Sequence, residues 1–146
     1  MKPPIPHLAN PHILVVDDEE GFRSLLQWEL GNRGMTVDVA NNGAEAVKLI
    51  QEKHFDLVIT DLTMPLLDGL MLLEAVKQTS PQTEVIMATG FGTVETAVHA
   101  MREGAFDFIL KPYDFEHLVT RINKAISGSA QCRCKHVVEF KKEQLS

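Results

Sequence analysis

The sequence of 146 residues is poor in cysteine: only Cys132 and Cys134 are present, and both lie near the C-terminal end. Such a pair cannot supply the disulfide framework of a small secreted protein, so we expect the chain in a reducing compartment, the cytoplasm. The sequence also lacks an apolar run long enough to span a bilayer. Its first residues carry one lysine but no apolar signal-peptide core, so we expect no membrane association.

Positive charge and a glycine-rich phosphate loop are lacking as well. The formal net charge is −6, which disfavours direct nucleic-acid binding by this domain because phosphate neutralisation needs a basic face. No Gly-x-x-x-x-Gly-Lys segment is present, which excludes a nucleotide site of that kind. The hydrophobic fraction of 45% is ordinary for a globular protein, and the length is sufficient for one domain with a core.

Short apolar runs alternate with segments whose apolar residues recur at helical spacing. Strands are predicted at 13–16, 35–39, 57–60, 84–88 and 106–110. Helices are predicted at 19–33, 44–53, 69–78 and 93–102, and a fifth begins after a cap at Asp114. Crossovers this short require parallel strands with helices on both faces. We therefore predict a doubly wound, flavodoxin-like three-layer α/β sandwich with a five-stranded parallel sheet in the order 2-1-3-4-5.

The predicted elements also divide the chain. Residues 1–11 are expected to form a flexible leader, 12–127 one domain, and 128–146 a C-terminal tail or the start of a linker. Cys132, Cys134 and His136 are possible zinc ligands within the tail, but a second ligand pair is missing nearby. We interpret this segment as a free tail.

Carboxylates follow two of the predicted strands. Asp17 and Asp18 end the first apolar run, and Asp61 ends the third. In the order 2-1-3-4-5 these strands are neighbours at the switch point, where such folds bind ligands. Like charges this close raise each other's proton affinity unless a cation joins them. The simplest interpretation is a Mg²⁺ site with one carboxylate free for chemistry.

Two further polar residues end the remaining strands at the same edge. Thr89 follows the fourth apolar run and Lys111 the fifth. Asp61 can act as a nucleophile that takes a phosphoryl group. Lys111 can neutralise phosphoryl oxygens as a point charge, and Thr89 can donate a hydroxyl hydrogen bond to one of them. Catalysis of phosphoryl transfer depends mainly on positioning and charge stabilisation, and these three residues can provide both.

With these residues the sequence resembles the receiver domain of bacterial response regulators, the phosphorylated partners in two-component signalling. The resemblance covers roughly residues 12–127. It depends on five motifs in the right order and spacing, VVDDE at 15–19, DLTMP at 61–65, DG at 68–69, TG at 89–90 and KPY at 111–113. Together these motifs are highly specific, whereas any one alone means little.

The resemblance implies a role for each residue of the predicted site. Asp61 would accept a phosphoryl group from a histidine kinase. Mg²⁺ would be bound by Asp17, Asp18 and Asp61 together with the backbone carbonyl of Thr63. The protein would not be an enzyme in the usual sense, since it would catalyse only its own phosphoryl transfer and dephosphorylation.

Other implications concern the response to phosphorylation. Thr89 and Lys111 would contact the phosphoryl group, and a cis Lys111-Pro112 peptide would direct the lysine to the site. Phe108 stands where the family has an aromatic residue that swings inward as a switch, with a plain core aromatic as the alternative. The fourth helix, fifth strand and fifth helix would form the signalling face and a possible homodimer interface.

The segment TGFGTVETA at 89–97 looks closest to receivers of the nitrogen-regulation class. Those usually precede an ATPase domain and a DNA-binding domain, and neither follows in this sequence. The chain is therefore either a stand-alone receiver or a fragment, and we expect control of transcription through an output domain not present in this chain. In the fourth helix, apolar residues at helical spacing are expected to face the core; they are Val94, Ala97, Val98 and Met101.

Two other functions are consistent with a strand-end aspartate. A phosphatase of the haloacid dehalogenase type would want a second aspartate two residues after Asp61, where this chain has Thr63. A pseudo-receiver would bind partners without phosphorylation, but such domains typically lose one or more of the acidic or lysine positions that this chain retains.

Overall fold

The computed structural model describes residues 10–62, 68–90 and 92–127. Most of the predicted leader, the whole predicted tail, and Thr63 lie outside these residues. Five strands form one sheet in the order β2-β1-β3-β4-β5, and every neighbouring pair is parallel. This order confirms the prediction. The strands are β1 (His12–Val16), β2 (Thr36–Ala40), β3 (Leu57–Thr60), β4 (Glu84–Thr89) and β5 (Asp107–Leu110).

The central strands are buried on both faces, as expected when helices cover both sides of a parallel sheet. Alternate residues of each strand point to opposite faces. Ile13, Val15 and Ile59 therefore belong to one core cluster, whereas Leu14 and Val58 belong to the other. The two clusters hold the sheet between its helical layers and fix where each strand ends.

Within the described residues, four helices connect the strands and a fifth follows β5: α1 (Glu20–Gly31), α2 (Gly43–Glu52), α3 (Gly69–Thr79), α4 (Val94–Arg102) and α5 (Phe115–Ser127). Polar caps begin several of them, since Asn42, Asp68 and Thr93 each accept a hydrogen bond from a backbone N–H in the first turn. Asp114 similarly accepts from the N–H of Glu116, which confirms the predicted cap of α5. Among the described helices, none combines the length and apolar character that a membrane crossing requires.

Two predictions about helices are wrong in detail. Helix α1 ends at Gly31 rather than Arg33, and Gly34, with φ of 90°, belongs to the turn beyond it. In α4 the predicted core face is partly correct: Met101 packs against the core, but Val94 is 79% exposed, and the fully buried Ala100 was not predicted. Val94 is the first residue of the helix, where the hydrophobic period alone does not show whether the core extends that far.

Candidate functional site

The carboxyl ends of β1 and β3 bring the predicted aspartates together. The backbone N–H of Asp61 donates to the carbonyl of Val16 at 3.1 Å, and that of Asp17 donates to the carbonyl of Ala40 at 3.2 Å. Each aspartate is therefore the first residue beyond its strand, still tied to the neighbouring strand. The predicted juxtaposition at the switch point is present.

The start of α3 approaches Asp61 very closely. The N–H of Gly69 donates to the carbonyl of Leu62 at 2.9 Å. A Cβ at Gly69 would overlap the backbone carbonyl of Asp61 and lie 2.8 Å from Cα of Leu62. Asp68 accepts from the N–H of Met71 and caps the helix. The 68–69 motif thus supports the backbone that carries Asp61.

Three carboxylates form a compact cluster at this edge. One oxygen from each of Asp17, Asp18 and Asp61 lies within 4.8 Å of the others. Asp17 and Asp61 are buried, whereas Asp18 is exposed and leaves the cluster open to solvent. Oxygen donors with one open side are the kind of set that Mg²⁺ accepts, since this ion keeps several waters. The residues present therefore fit a hard divalent cation.

Lys111 reaches into this cluster from the end of β5. Its ammonium nitrogen lies 2.6 Å from Oδ2 of Asp17 and 3.3 Å from Oδ2 of Asp61. Glu19 is a third and more distant partner at 3.9 Å. The Lys111-Pro112 peptide is cis, as the resemblance implied. An amine and two carboxylates from three separate segments therefore converge.

The pKa values of Asp17 and Lys111 reflect burial first and the neighbouring charges second. Burial raises the pKa of the Asp17 carboxyl above its ordinary 3.8, and the charge of Asp61 adds to the rise, although the hydrogen bond from Lys111 opposes it. Burial alone would lower the pKa of Lys111, but its contacts with Asp17 and Asp61 outweigh that effect and raise the pKa above 10.5. A bound cation would relieve the excess of negative charge in the cluster.

Thr89 lies on β4 and Phe108 on β5, the two strands that follow β3 in the sheet order. Thr89 is fully buried at the end of β4, and its carbonyl accepts from the N–H of Lys111 at 2.8 Å. Phe108 is partly buried and packs against the core cluster that contains Met87. A Cβ at Gly92 would lie 2.5 Å from the Phe108 ring, so Gly92 lies directly against that ring.

Sequence reasoning missed two residues that shape the site. The ring of Phe22 in α1 lies with its centroid 4.0 Å from the ammonium of Lys111. Nη1 of Arg23 donates to the backbone carbonyl of Asp17 at 2.6 Å. In the sequence, Phe22 has the pattern of any apolar residue on the inner face of an amphipathic helix. Its contact with Lys111 becomes apparent only in the folded structure. Arg23 carries no sequence signal, because a surface arginine early in a helix is common.

A family model described as "Response regulator receiver domain" matches residues 13–123. The chain belongs to this family. The matched range includes the predicted phosphoacceptor, the acidic cluster and Lys111. The receiver domain is not an enzyme in the usual sense.

Its relatives include transcriptional regulators. The transcriptional regulatory protein ZraR of Escherichia coli (strain K12) is 39% identical over 118 residues, which cover 81% of this chain and 27% of ZraR. The DNA-binding transcriptional regulator NtrC of the same strain is 37% identical over 115 residues, which cover 79% of this chain and 24% of NtrC. The chain thus spans 24% to 27% of the length of these relatives.

A solved structure supports the same class. The solution structure of the beryllofluoride-activated NtrC4 receiver domain dimer matches with a TM-score of 0.75 and 39% sequence identity, and the match covers 79% of this chain and 95% of that one. Both kinds of comparison identify nitrogen-regulation-class receivers as similar to this receiver domain, as the segment at 89–97 predicted.

Proposed function

We propose that this receiver domain accepts a phosphoryl group on Asp61 from the phosphohistidine of a sensor histidine kinase. A carboxylate oxygen of Asp61 forms a bond to phosphorus while the phosphorus–nitrogen bond breaks, and the imidazole nitrogen keeps the electron pair. The product is an acyl phosphate. The observation that carries this proposal is the ammonium of Lys111, which lies 2.6 Å from Asp17 and 3.3 Å from Asp61.

Mg²⁺ is the cofactor we assign to the acidic cluster. Its ligands would be Asp17, Asp18, Asp61 and the backbone carbonyl of Thr63. Bound there, the ion supplies positive charge that draws the donor's phosphoryl oxygens to Asp61 and offsets their charge during transfer. The mutual distances of the three carboxylates, all within 4.8 Å, support this assignment.

Lys111 and Thr89 would hold the transferred group. The ammonium turns from Asp17 toward a phosphoryl oxygen, and the hydroxyl of Thr89 donates to another. Attack of water at phosphorus then breaks the phosphorus–oxygen bond to Asp61 and releases inorganic phosphate. The carboxylate is restored and the signal ends. Phosphatases of the haloacid dehalogenase type have an acid/base aspartate at the position of Thr63. A threonine there is consistent with dephosphorylation of the domain itself rather than turnover of a separate substrate.

The output would pass through α4, β5 and α5. When Thr89 moves toward the phosphoryl group, the segment after β4 follows, and Phe108 moves into the space released. The exposed side chains Val94 and Leu110, at 79% and 55%, give this face apolar contact area for a partner or a second copy. We propose that the domain acts in the cytoplasm and controls transcription through an output domain outside the 12–127 domain.

The test is to incubate the chain with Mg²⁺ and acetyl phosphate and to weigh the intact protein. We expect the mass gain of one phosphoryl group, which chelation of Mg²⁺ prevents and which Asp61→Asn abolishes. Asp56→Asn is a matched control, because Asp56 lies at the opposite end of β3 and should leave the gain intact. An unchanged mass, under conditions that label another receiver domain, would contradict the proposal.

A further inference from the structure

The ammonium of Lys111 has an aromatic neighbour in addition to the carboxylates of Asp17, Asp61 and Glu19. Besides Asp17 and Asp61, it lies 4.0 Å from the centroid of the Phe22 ring. This distance is within the range at which the face of an aromatic ring attracts a cation. Because the Lys111 side chain is only 16% exposed, water weakens this attraction little.

The ring of Phe22 is itself held in place. It packs against the core cluster beneath α1 and α5. Tyr113 meets it edge-on, with the ring centroids 6.0 Å apart and an interplanar angle of 79°. Edge-to-face pairs of this kind are favourable. Since Tyr113 follows Lys111 by two residues, one short segment supplies both the ammonium and the ring that anchors Phe22.

The attraction of a ring face for an ammonium is less directional than the hydrogen bond of a carboxylate. The ring attracts positive charge without fixing a hydrogen-bond direction, so the ammonium can turn from one oxygen acceptor to another and remain over the ring. Lysine has a flexible side chain, so holding its ammonium in one position costs conformational entropy. Glu19, whose side chain is 72% exposed, lies 3.9 Å from the ammonium and is a competing partner nearer to solvent.

We propose that Phe22 is a positioning residue for Lys111, and that its ring keeps the ammonium over the site before and after the phosphoryl group arrives. This inference rests on the proposed phosphoacceptor function. Phe22 does not touch the reacting atoms. It acts through Lys111 by limiting the excursions of the ammonium toward Glu19 and solvent.

The experiment measures the initial rate of phosphorylation of the full chain by acetyl phosphate with Mg²⁺. Phe22→Leu keeps the apolar bulk but removes the ring face, and should lower the rate about fivefold. Phe22→Tyr restores the ring face and should restore most of the rate. Phe115→Leu is the matched control: Phe115 packs against the same core cluster and has a cation, Arg33, 5.1 Å from its ring. It should leave the rate unchanged.

A double-mutant cycle separates positioning from general structural damage. In the Lys111→Ala background, Phe22→Leu should cause no further loss of rate, because the group it positions is gone. The inference is overturned if Phe22→Leu matches the wild type, if it lowers the rate equally in both backgrounds, or if Phe115→Leu lowers the rate as much.

A spectroscopic reading distinguishes this inference from the proposed function. The ε-methylene proton resonances of Lys111 should be shifted upfield by the ring of Phe22, and the shift should vanish in Phe22→Leu and return in Phe22→Tyr. If the wild type takes no phosphoryl group, the proposed function fails, and this shift still decides whether the ring holds the ammonium. An unshifted resonance in the wild type would overturn the inference by itself.

Discussion

Asp17 and Lys111, 94 positions apart in the chain, meet through a 2.6 Å contact between a carboxylate oxygen and an ammonium nitrogen. The side chain of Asp17 is 1% exposed, so this pair is almost entirely removed from water. Breaking a buried pair leaves an uncompensated charge, which costs more than the pair itself contributes. The lysine therefore has a structural role in the metal-free domain in addition to the role we propose in phosphoryl transfer.

Replacing this lysine should destabilise the metal-free domain. Lys111→Ala leaves Asp17 and Asp61 without their cation, and we expect the free energy of unfolding to fall by about 2 kcal/mol. Denaturant unfolding in the presence of a chelator measures this loss. Lys53→Ala is the control, since Lys53 pairs with Asp38 at the surface and should cost less than about 1 kcal/mol. Equal losses in the two variants would contradict the account.

Replacing Asp17 should have the opposite effect at neutral pH. Because its pKa is raised in the folded protein, the stability linked to this group is present below 3.8 and is lost as the pH rises through the folded pKa. Asp17→Asn avoids that loss, and Lys111 keeps Asp61 as a partner at 3.3 Å, so its charge is not left uncompensated. Without Mg²⁺ the variant should therefore exceed the wild type by about 1 kcal/mol at neutral pH.

The advantage of Asp17→Asn should shrink as the pH falls through 3.8 and disappear well below it, where the wild-type carboxyl is protonated in both states. Saturating Mg²⁺ should also remove it, because the ion stabilises only the cluster that binds it. Unfolding curves over a pH series, with and without Mg²⁺, give both comparisons. A constant difference across the series would show that the carboxylate charge is not its cause.

The buried hydroxyl of Tyr113 provides a third prediction. It has no hydrogen-bond partner among the residues that the structure describes. Burial, with a smaller contribution from Asp17, raises the pKa of Tyr113 above its ordinary 10.0. Tyr113→Phe removes an unsatisfied group and should raise the free energy of unfolding by up to about 1 kcal/mol.

The sign of the pH dependence follows from the raised pKa. Stability linked to Tyr113 is present below pH 10.0 and is lost as the pH rises through the folded pKa, so the advantage of Tyr113→Phe should grow above pH 10.0. Unfolding measured between neutral and alkaline pH tests this trend. A Tyr113→Phe protein that is less stable than the wild type throughout would indicate that the hydroxyl has a partner.

Gly92 provides a prediction about the segment between β4 and α4. A Cβ there would lie 2.5 Å from one atom of the Phe108 ring and 2.7 Å from a methyl group of Leu110. Gly92→Ala should therefore displace the partly buried ring and cost about 1 kcal/mol of unfolding free energy. Gly90→Ala is the control, because no atom lies within 4 Å of its Cβ position. If both substitutions have the same effect, the contact with Phe108 is not what constrains the segment.

The central elements of the site were predictable because a doubly wound sheet follows a simple rule. Residues just after neighbouring parallel strands must meet at one edge, so the positions of Asp17, Asp61 and Lys111 followed once the strand order was predicted. The sheet order was predictable from the short crossovers, which leave few topologies.

Phe22 was not predictable, because an apolar residue on the inner face of a helix gives the same periodic signal whether it meets a leucine or an ammonium. One position of α4 was predicted wrongly for a related reason. Hydrophobic periodicity assigned Val94 to the core and omitted Ala100, although Val94 is 79% exposed and Ala100 is fully buried. Both depend on which neighbour a residue meets after folding, which no local pattern records.

The most direct test of the central claim locates the phosphoryl group on the chain. After incubation with acetyl phosphate and Mg²⁺, reduction with borohydride converts an aspartyl phosphate to homoserine, and peptide mass spectrometry identifies the position. The account predicts homoserine at position 61, none in chelator-treated protein, and none in Asp61→Asn. Homoserine at another aspartate, or a phosphoryl group that resists the reduction and stays on a hydroxyl side chain, would contradict it.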